Sequence, residues 1–80
     1  MKTIIFLGAA RRAWRGIPET ARLRLDTALR DFARDGRGDV KKLKGRPGWR
    51  LRWGDYRVVF IEVDGAIEVQ SVGHRKDVYE

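Results

Sequence analysis

The residues best suited to chemistry are three arginines, Arg50, Arg52 and Arg57, which stand at alternating positions on either side of a Gly54-Asp55 pair. Such a pair between two runs of alternating apolar and polar residues predicts a β-hairpin with a type II′ turn. Alternate residues of a strand share one face of a sheet, so the three guanidinium groups should lie together. Guanidinium groups stay charged at any biological pH and match phosphate oxygens. The spacing therefore predicts an anion site, with a solvated basic face as the alternative.

A second pair, Asp64-Gly65, predicts a type I′ turn and a third strand. Two-residue turns fix the register, so facing residues can be counted outward from each turn. The count places Arg52 opposite Arg57, a repulsion that a bound polyanion would relieve. It also places Arg57 opposite Val72 across the second turn.

The same register divides the three strands into two faces. One face should be the core, and its predicted members are Trp49, Leu51, Trp53, Tyr56, Val58, Phe60, Ile67 and Val69. The other face, the open face, should carry Arg50, Arg52, Arg57, Val59, Ile61, Glu68, Gln70, Val72 and, if the third strand extends that far, His74.

The segment before these strands should position them. Residues 2–7 are rich in β-branched and aromatic residues without alternation, and predict a strand covered on both faces rather than a signal peptide. Apolar residues at helical spacing then predict two helices, with stripes made of Ala10, Ala13, Trp14 and Ile17, and of Ala21, Leu25, Ala28, Leu29 and Phe32. Pro18 should open the second helix and Gly36 should end it. The prediction is an α+β fold: an N-terminal strand, a helical hairpin and a three-stranded antiparallel meander, forming one twisted sheet backed by both helices.

Composition and net charge limit the classes of partner and cofactor that the chain could bind. The chain has 80 residues and a formal net charge of +7, which predicts one domain over residues 1–80 with an anionic partner. Without cysteine and with one histidine, it offers no thiolate metal site and no histidine zinc cluster. We expect no cofactor, no membrane association and a cytoplasmic location. Residues 37–48 add further cations that could contact RNA, namely Lys41, Lys42, Lys44 and Arg46.

Three blocks of the chain resemble the RelE/ParE family of type II toxins. They are Leu43-Lys44-Gly45, WRLRWGDYRVVF at 49–60 and VGHRKDVY at 72–79. The resemblance covers essentially the whole chain and implies an α+β fold with a helical hairpin behind the sheet. RelE-type members cut messenger RNA in the ribosomal decoding site. The 2′-hydroxyl attacks the adjacent phosphate and leaves a 2′,3′-cyclic phosphate and a 5′-hydroxyl, without a metal.

The resemblance also implies roles for individual residues. Arg50 and Arg52 match basic strand positions that would contact RNA, and Arg57 matches the arginine that grips phosphate. Arg75 matches an arginine just past the last strand, and would stabilise the transition state with Arg57. Tyr79 matches a tail tyrosine that would stack on a base, donate a hydrogen bond or pin the tail.

One departure from the family concerns the proton acceptor. The two early basic sites are lysines in the nuclease members, and an arginine cannot serve as a base in their place. His74 is then the predicted general base, and Glu68 is a second candidate on the open face. Alternatively, His74 is only a residue at the end of a strand.

The resulting hypothesis is the toxin of a type II toxin–antitoxin pair, a ribosome-dependent, metal-independent endoribonuclease acting on mRNA. A cognate antitoxin should cover Val59 and Ile61 on the open face, or else wrap the helical hairpin, and the complex could bind operator DNA. Two alternatives remain open: a ParE-like inhibitor of DNA gyrase, and a catalytically inactive nucleic-acid-binding co-repressor.

Overall fold

Seven elements make up the fold in a computed structural model, which describes residues 1–76. In chain order they are β1 (Thr3–Phe6), α1 (Gly8–Arg15), α2 (Glu19–Asp35), β2 (Val40–Lys42), β3 (Trp49–Trp53), β4 (Tyr56–Val63) and β5 (Ala66–His74). The sheet order is β1-β5-β4-β3-β2, with β1 parallel to β5 and the other neighbours antiparallel. The predicted α+β architecture is confirmed, and β2 is a strand that the sequence pattern did not predict.

Both predicted hairpin turns are present. Gly54 has a φ of 57° at the first central position of the β3–β4 turn, as a type II′ turn requires. Asp64 and Gly65 both have positive φ, 47° and 78°, as a type I′ turn requires. The register of β3 on β4 is the predicted one throughout, including Arg52 opposite Arg57.

Both helices form where the apolar spacing predicted them. Pro18 precedes the first residue of α2, and Gly36 ends the helix with a left-handed φ of 79° while its N–H donates to the Phe32 carbonyl. The core is packed between the helices and one face of the sheet. It contains Ala10, Ile17, Ala21, Leu25, Leu29, Ala33, Leu51, Val58, Phe60, Ile67, Val69 and Val72.

The N-terminal strand is not covered on both faces, so that prediction was wrong. Strand β1 is an edge of the sheet, and its alternate residues are exposed, with Ile5 46% exposed. Ile4 and Phe6 turn toward the helices, and the Phe6 ring packs against Trp14 with centroids 5.1 Å apart. The apolar run Ile4-Ile5-Phe6 therefore contributes only one face to the core.

A β-bulge in β5 changes the second hairpin beyond Phe60. Val69 faces Phe60 as predicted, but Val59 faces Ser71, so that Gln70 is the extra residue. A single added residue moves everything after it to the opposite face of the sheet. Val72 therefore faces Val58 and is buried at 4% exposure. The predictions that Val72 and His74 belong to the open face were wrong.

The β2–β3 connection closes tightly around Gly48. This residue has a φ of 124°, and a Cβ added there would lie 2.9 Å from the Phe60 carbonyl oxygen and 3.1 Å from Leu43. The Leu43 N–H also donates to the Gly48 carbonyl at 3.0 Å. Leu43 is buried and anchors this basic segment.

Candidate nucleic-acid interface

Two neighbouring rows of residues across the sheet carry the cations of the open face. One row consists of Arg52 on β3 and Arg57 on β4, with Gly73 on β5, which adds no side chain. In the next row Lys41 on β2 lies opposite Arg50 on β3. The convergence of Arg50, Arg52 and Arg57 on one face is thus confirmed, and we call these three residues the arginine face.

The three arginines differ in their freedom to move. Arg50 is only 6% exposed and Arg57 is half-buried, so both guanidinium groups are held within the surface. Arg52 is exposed, and its side chain remains free to exchange partners with solvent. Burial restricts the rotamers of a long side chain, so less conformational entropy is lost when it binds an anion. Arg50 and Arg57 are therefore the pre-organised members of the site.

Arg52 has an intramolecular partner that the sequence reasoning missed. Its Nε donates to Asp39 Oδ2 at 3.1 Å, and its backbone N–H donates to the Asp39 carbonyl at 2.9 Å. Asp39 immediately precedes β2, and the contact exists only because β2 joins the sheet beside β3. Asp39 offsets part of the repulsion between Arg52 and Arg57, which the sequence reasoning had left to a bound polyanion.

Arg75 lies at the tip of the β3–β4 hairpin, at the same end of the sheet as Arg52 and Arg57. Its backbone N–H donates to the Asp55 carbonyl at 2.6 Å, and its Nε lies 3.7 Å from Asp55 Oδ1. The backbone contact fixes the end of β5 against the hairpin tip. The side chain itself is 58% exposed, which leaves it accessible to a phosphate bound there.

The lysines predicted to contact RNA lie along the β2 edge. A surface depression of about 350 Å³ brings together Lys41, Lys42 and Lys44 with buried Arg50. Arg46 lines a neighbouring, more open depression with Lys42. Because Arg50 borders the first depression, the lysines extend the arginine face toward this edge. The predicted cations therefore form one positive surface.

His74 lies on the opposite face from the arginines. It pairs with Tyr56, and the two rings meet edge-on with centroids 5.8 Å apart. The Lys76 N–H donates to its Nδ1 at 3.3 Å. Regular alternation along β5 from Glu68 would place His74 on the open face, as the sequence predicted. The extra residue of the bulge shifts this alternation by one, so His74 lies on the helical face instead. The spacing of three between Val69 and Val72, both buried, was the signal that could have revealed the shift.

The other predicted site residues are less central. Glu68 does lie on the open face, but it faces Ile61, four residues along β4 from Arg57 and therefore about 13 Å away along the strand. Tyr79 lies outside the described residues.

Apolar residues occupy the end of the open face away from the hairpin tip. Val59 is fully buried, so the expectation that it is an exposed contact residue was wrong. It faces Arg50, and the long aliphatic stems of arginines can cover apolar surface. Ile61 is half-buried, whereas Ile5 and Val63 are 46% and 41% exposed. These three form the apolar strip of the open face, with Glu68 lying between Ile61 and Ile5.

Among residues 1–76, no helix has the length and hydropathy that a membrane span would need.

The fold has relatives among solved structures. The isolated E. coli RelE toxin superposes with a TM-score of 0.82 at 26% identity, covering 92% of this chain and 84% of that one. The toxin in the intact E. coli RelBE toxin–antitoxin complex gives 0.80 at 26% identity, covering 92% and 96%. The RelB–RelE antitoxin–toxin complex from Methanococcus jannaschii gives 0.78 at 24% identity, covering 94% of each chain, which is a likeness of fold.

Sequence comparison adds the family. A search of curated protein sequences finds no match. The family model described as the ParE toxin of the parDE type II toxin–antitoxin system matches residues 4–79, almost the entire chain. Together with the fold and the basic open face, this match places the chain in the RelE/ParE family, as a toxin of a type II toxin–antitoxin system.

Proposed function

We propose that this toxin is a ribosome-dependent endoribonuclease that cuts mRNA. The observation that carries the proposal is the arginine face, where buried Arg50 and half-buried Arg57 hold two fixed guanidinium groups beside exposed Arg52. Fixed cations at the position where charge develops are the main source of catalysis in phosphoryl transfer. The likeness to the isolated E. coli RelE toxin, at 26% identity, supports the same reading.

In the proposed reaction the 2′-hydroxyl of one nucleotide attacks the adjacent phosphate, and the bond from phosphorus to the 5′-oxygen breaks. The products are a 2′,3′-cyclic phosphate and a 5′-hydroxyl. Arg57 and Arg52 bind the phosphate oxygens, and Arg75 reaches the same end of the site from the hairpin tip. Their charge stabilises the pentacoordinate transition state, which carries more negative charge than the substrate.

The proton of the 2′-hydroxyl needs an acceptor. Neither of the predicted bases lies beside Arg57, since His74 is on the other face and Glu68 is far along β4. We therefore assign the rate enhancement to charge stabilisation and positioning. The proton of the 2′-hydroxyl passes to water, and the leaving 5′-oxygen takes a proton from water to become the 5′-hydroxyl. Replacing His74 should then leave the pH–rate profile of cleavage unchanged.

The test uses purified toxin and ribosomes stalled on a short mRNA, with primer extension to locate the cuts. The native toxin should cut within the codon in the decoding site. Arg57→Ala should slow cleavage on the order of 10²-fold, because it removes a contact made mainly in the transition state. Arg30→Ala is the matched control, since Arg30 is an exposed arginine of α2 that pairs with Asp26 on the helical side. Absence of cuts with the native toxin would overturn the proposal.

Inhibition of DNA gyrase is the second candidate. Two observations favour it: the matching family model is that of the ParE toxin, and the one histidine lies away from the arginine face. A binding inhibitor needs the cations but no proton acceptor. A supercoiling assay with purified gyrase separates the two candidates, because only the inhibitor would block it while leaving ribosome-bound mRNA intact.

We further propose a cognate antitoxin as partner, bound to the open face. The relatives from E. coli and M. jannaschii are found in complexes with antitoxins. The apolar strip of Ile5, Ile61 and Val63 continues from the arginine face, and nucleic acid would satisfy the cations but not these aliphatic groups. A segment carrying both carboxylates and aliphatic side chains would satisfy both. Binding of antitoxin and of RNA should then exclude each other.

A further inference from the structure

Three aromatic side chains gather on the helical face of the sheet, at the tip of the β3–β4 hairpin. Trp53 lies directly opposite Tyr56, and Tyr56 lies opposite His74 on its other side. Trp53 is 40% exposed, whereas the sequence predicted it in the core, and the other two rings are half-buried. We call Trp53, Tyr56 and His74 the aromatic end of the sheet.

A cleft runs from the aromatic end toward the turn between the helices. It measures about 330 Å³, and Ile17 and Pro18 of the helical side face Tyr56 and His74 of the sheet across it. This size is at the lower end of the range of about 300–1,000 Å³ for pockets that hold small molecules. Apolar walls with a phenol and an imidazole at one side suit a flat heteroaromatic ring that has polar edges.

The cleft lies directly behind the arginine face. Arg52 and Trp53 are consecutive residues of β3, so their side chains point to opposite faces of the same hairpin tip. Gly54 at the tip has no neighbouring atom within 4 Å of the place a Cβ would occupy, so a bound extended ligand could pass close to the backbone of the hairpin tip. The hydrogen bond from Arg75 to Asp55 holds the end of β5 in place and keeps His74 beside Tyr56.

We propose that the aromatic end and its cleft bind an unstacked base of single-stranded RNA whose phosphate lies on the arginine face. The strand would cross the hairpin tip, with its phosphate against Arg52 and Arg57 and the adjoining base against Trp53 and Tyr56. Aromatic rings beside a positive groove are the usual means of holding single-stranded RNA. The exposed cations Arg75 and Lys76 directly follow His74, which lines the cleft, and favour an anionic strand. This inference rests on the proposed function, because it takes RNA as the ligand.

The test measures equilibrium binding to a fluorescent 2′-O-methyl RNA hexamer, which has no free 2′-hydroxyl and cannot be cleaved by the proposed reaction. A second probe carries the same phosphates on abasic sugars. The native toxin should prefer the hexamer with bases. Trp53→Ala should weaken binding of that hexamer by about 10-fold, the effect of losing one stacked base, and leave the abasic probe unchanged. Leu23→Ala is the control, since Leu23 is another exposed apolar residue of the helical side.

Three outcomes would overturn the inference. The first is an equal effect of Trp53→Ala on both probes, and the second is no effect on either. The third is unchanged RNA binding with weakened antitoxin binding, which would make the aromatic end a protein contact. Failure of the proposed function gives a different result, because RNA would then bind in this assay but would not be cut on the ribosome. Circular dichroism and the thermal midpoint of Trp53→Ala check that the variant is folded.

Discussion

Asp39→Asn should make the toxin bind single-stranded RNA more tightly, at little cost in stability. Asp39 accepts a hydrogen bond from Arg52 Nε at 3.1 Å, and so competes with phosphate for this arginine. The amide of asparagine keeps the size of the side chain and removes its charge. Arg52 then no longer has to break an ion pair in order to bind a phosphate.

The magnitude follows from the exposure of the pair. Both side chains are about half exposed, at 49% for Arg52 and 48% for Asp39, so their ion pair stabilises the fold by about 0–1 kcal/mol. The free energy of unfolding should fall by no more than this. If the same energy becomes available for phosphate, affinity for RNA rises by up to about fivefold at low salt. One more neutralised phosphate should also steepen the plot of log K against log salt by about 0.7.

The assay is fluorescence anisotropy with a labelled RNA hexamer over a salt series. Asp26→Asn is the matched control, because Asp26 forms a 2.9 Å ion pair with Arg30 on α2 and its loss changes the net charge equally. Asp39→Asn should exceed this control in both affinity and salt slope. Identical curves for the two variants would refute the idea that Asp39 competes for Arg52, and would leave only an effect of net charge.

Three further predictions concern stability and the antitoxin. Gly48→Ala should lower the free energy of unfolding by about 2–5 kcal/mol in urea, from backbone strain and overpacking. Gly45→Ala, with a φ of 73° but open space, should cost only about 1–2 kcal/mol, and equal losses would contradict this. A hydrogen bond from Arg37 holds the Asp35 pKa at about 2, below the usual 3.8, so its stabilisation is lost as pH falls from about 4 to 2. In an acid-unfolding experiment, Asp35→Asn should flatten the plot of the free energy of unfolding against pH between about pH 4 and pH 2. Ile61→Asp should weaken antitoxin binding in calorimetry, and unchanged binding would point to the helical hairpin instead.

Turn residues and alternation in the sequence were sufficient to predict the strands and the register of most of the sheet. Gly54 and Gly65 stand where the two turns need positive φ, and the turns fix the register of β3 on β4 and of the first part of β5. The arginine face follows directly from that register. Alternation also gave the core residues on these strands correctly as far as Val69, except for Trp53, which is 40% exposed at the hairpin tip.

What could not be predicted depends on contacts between distant parts of the chain. The bulge at Gln70 shifts the pairing of β5 with β4 by one residue, and it carries His74 away from the arginines. Strand β2 has only three residues, which is too short for its alternation to predict a strand. The contact between Asp39 and Arg52 therefore could not be predicted either. The exposure of Ile5 depends on both helices packing against one face of the sheet, which hydropathy does not encode.

The central claim is that the arginine face cuts mRNA on the ribosome. The most direct measurement maps 5′-hydroxyl ends of cellular mRNA after brief expression of the toxin, beside Arg57→Ala and Arg30→Ala. The native toxin and Arg30→Ala should produce new 5′-hydroxyl ends inside translated codons, and Arg57→Ala should produce few or none. Intact mRNA in cells that arrest with broken DNA would contradict the claim and identify gyrase as the target.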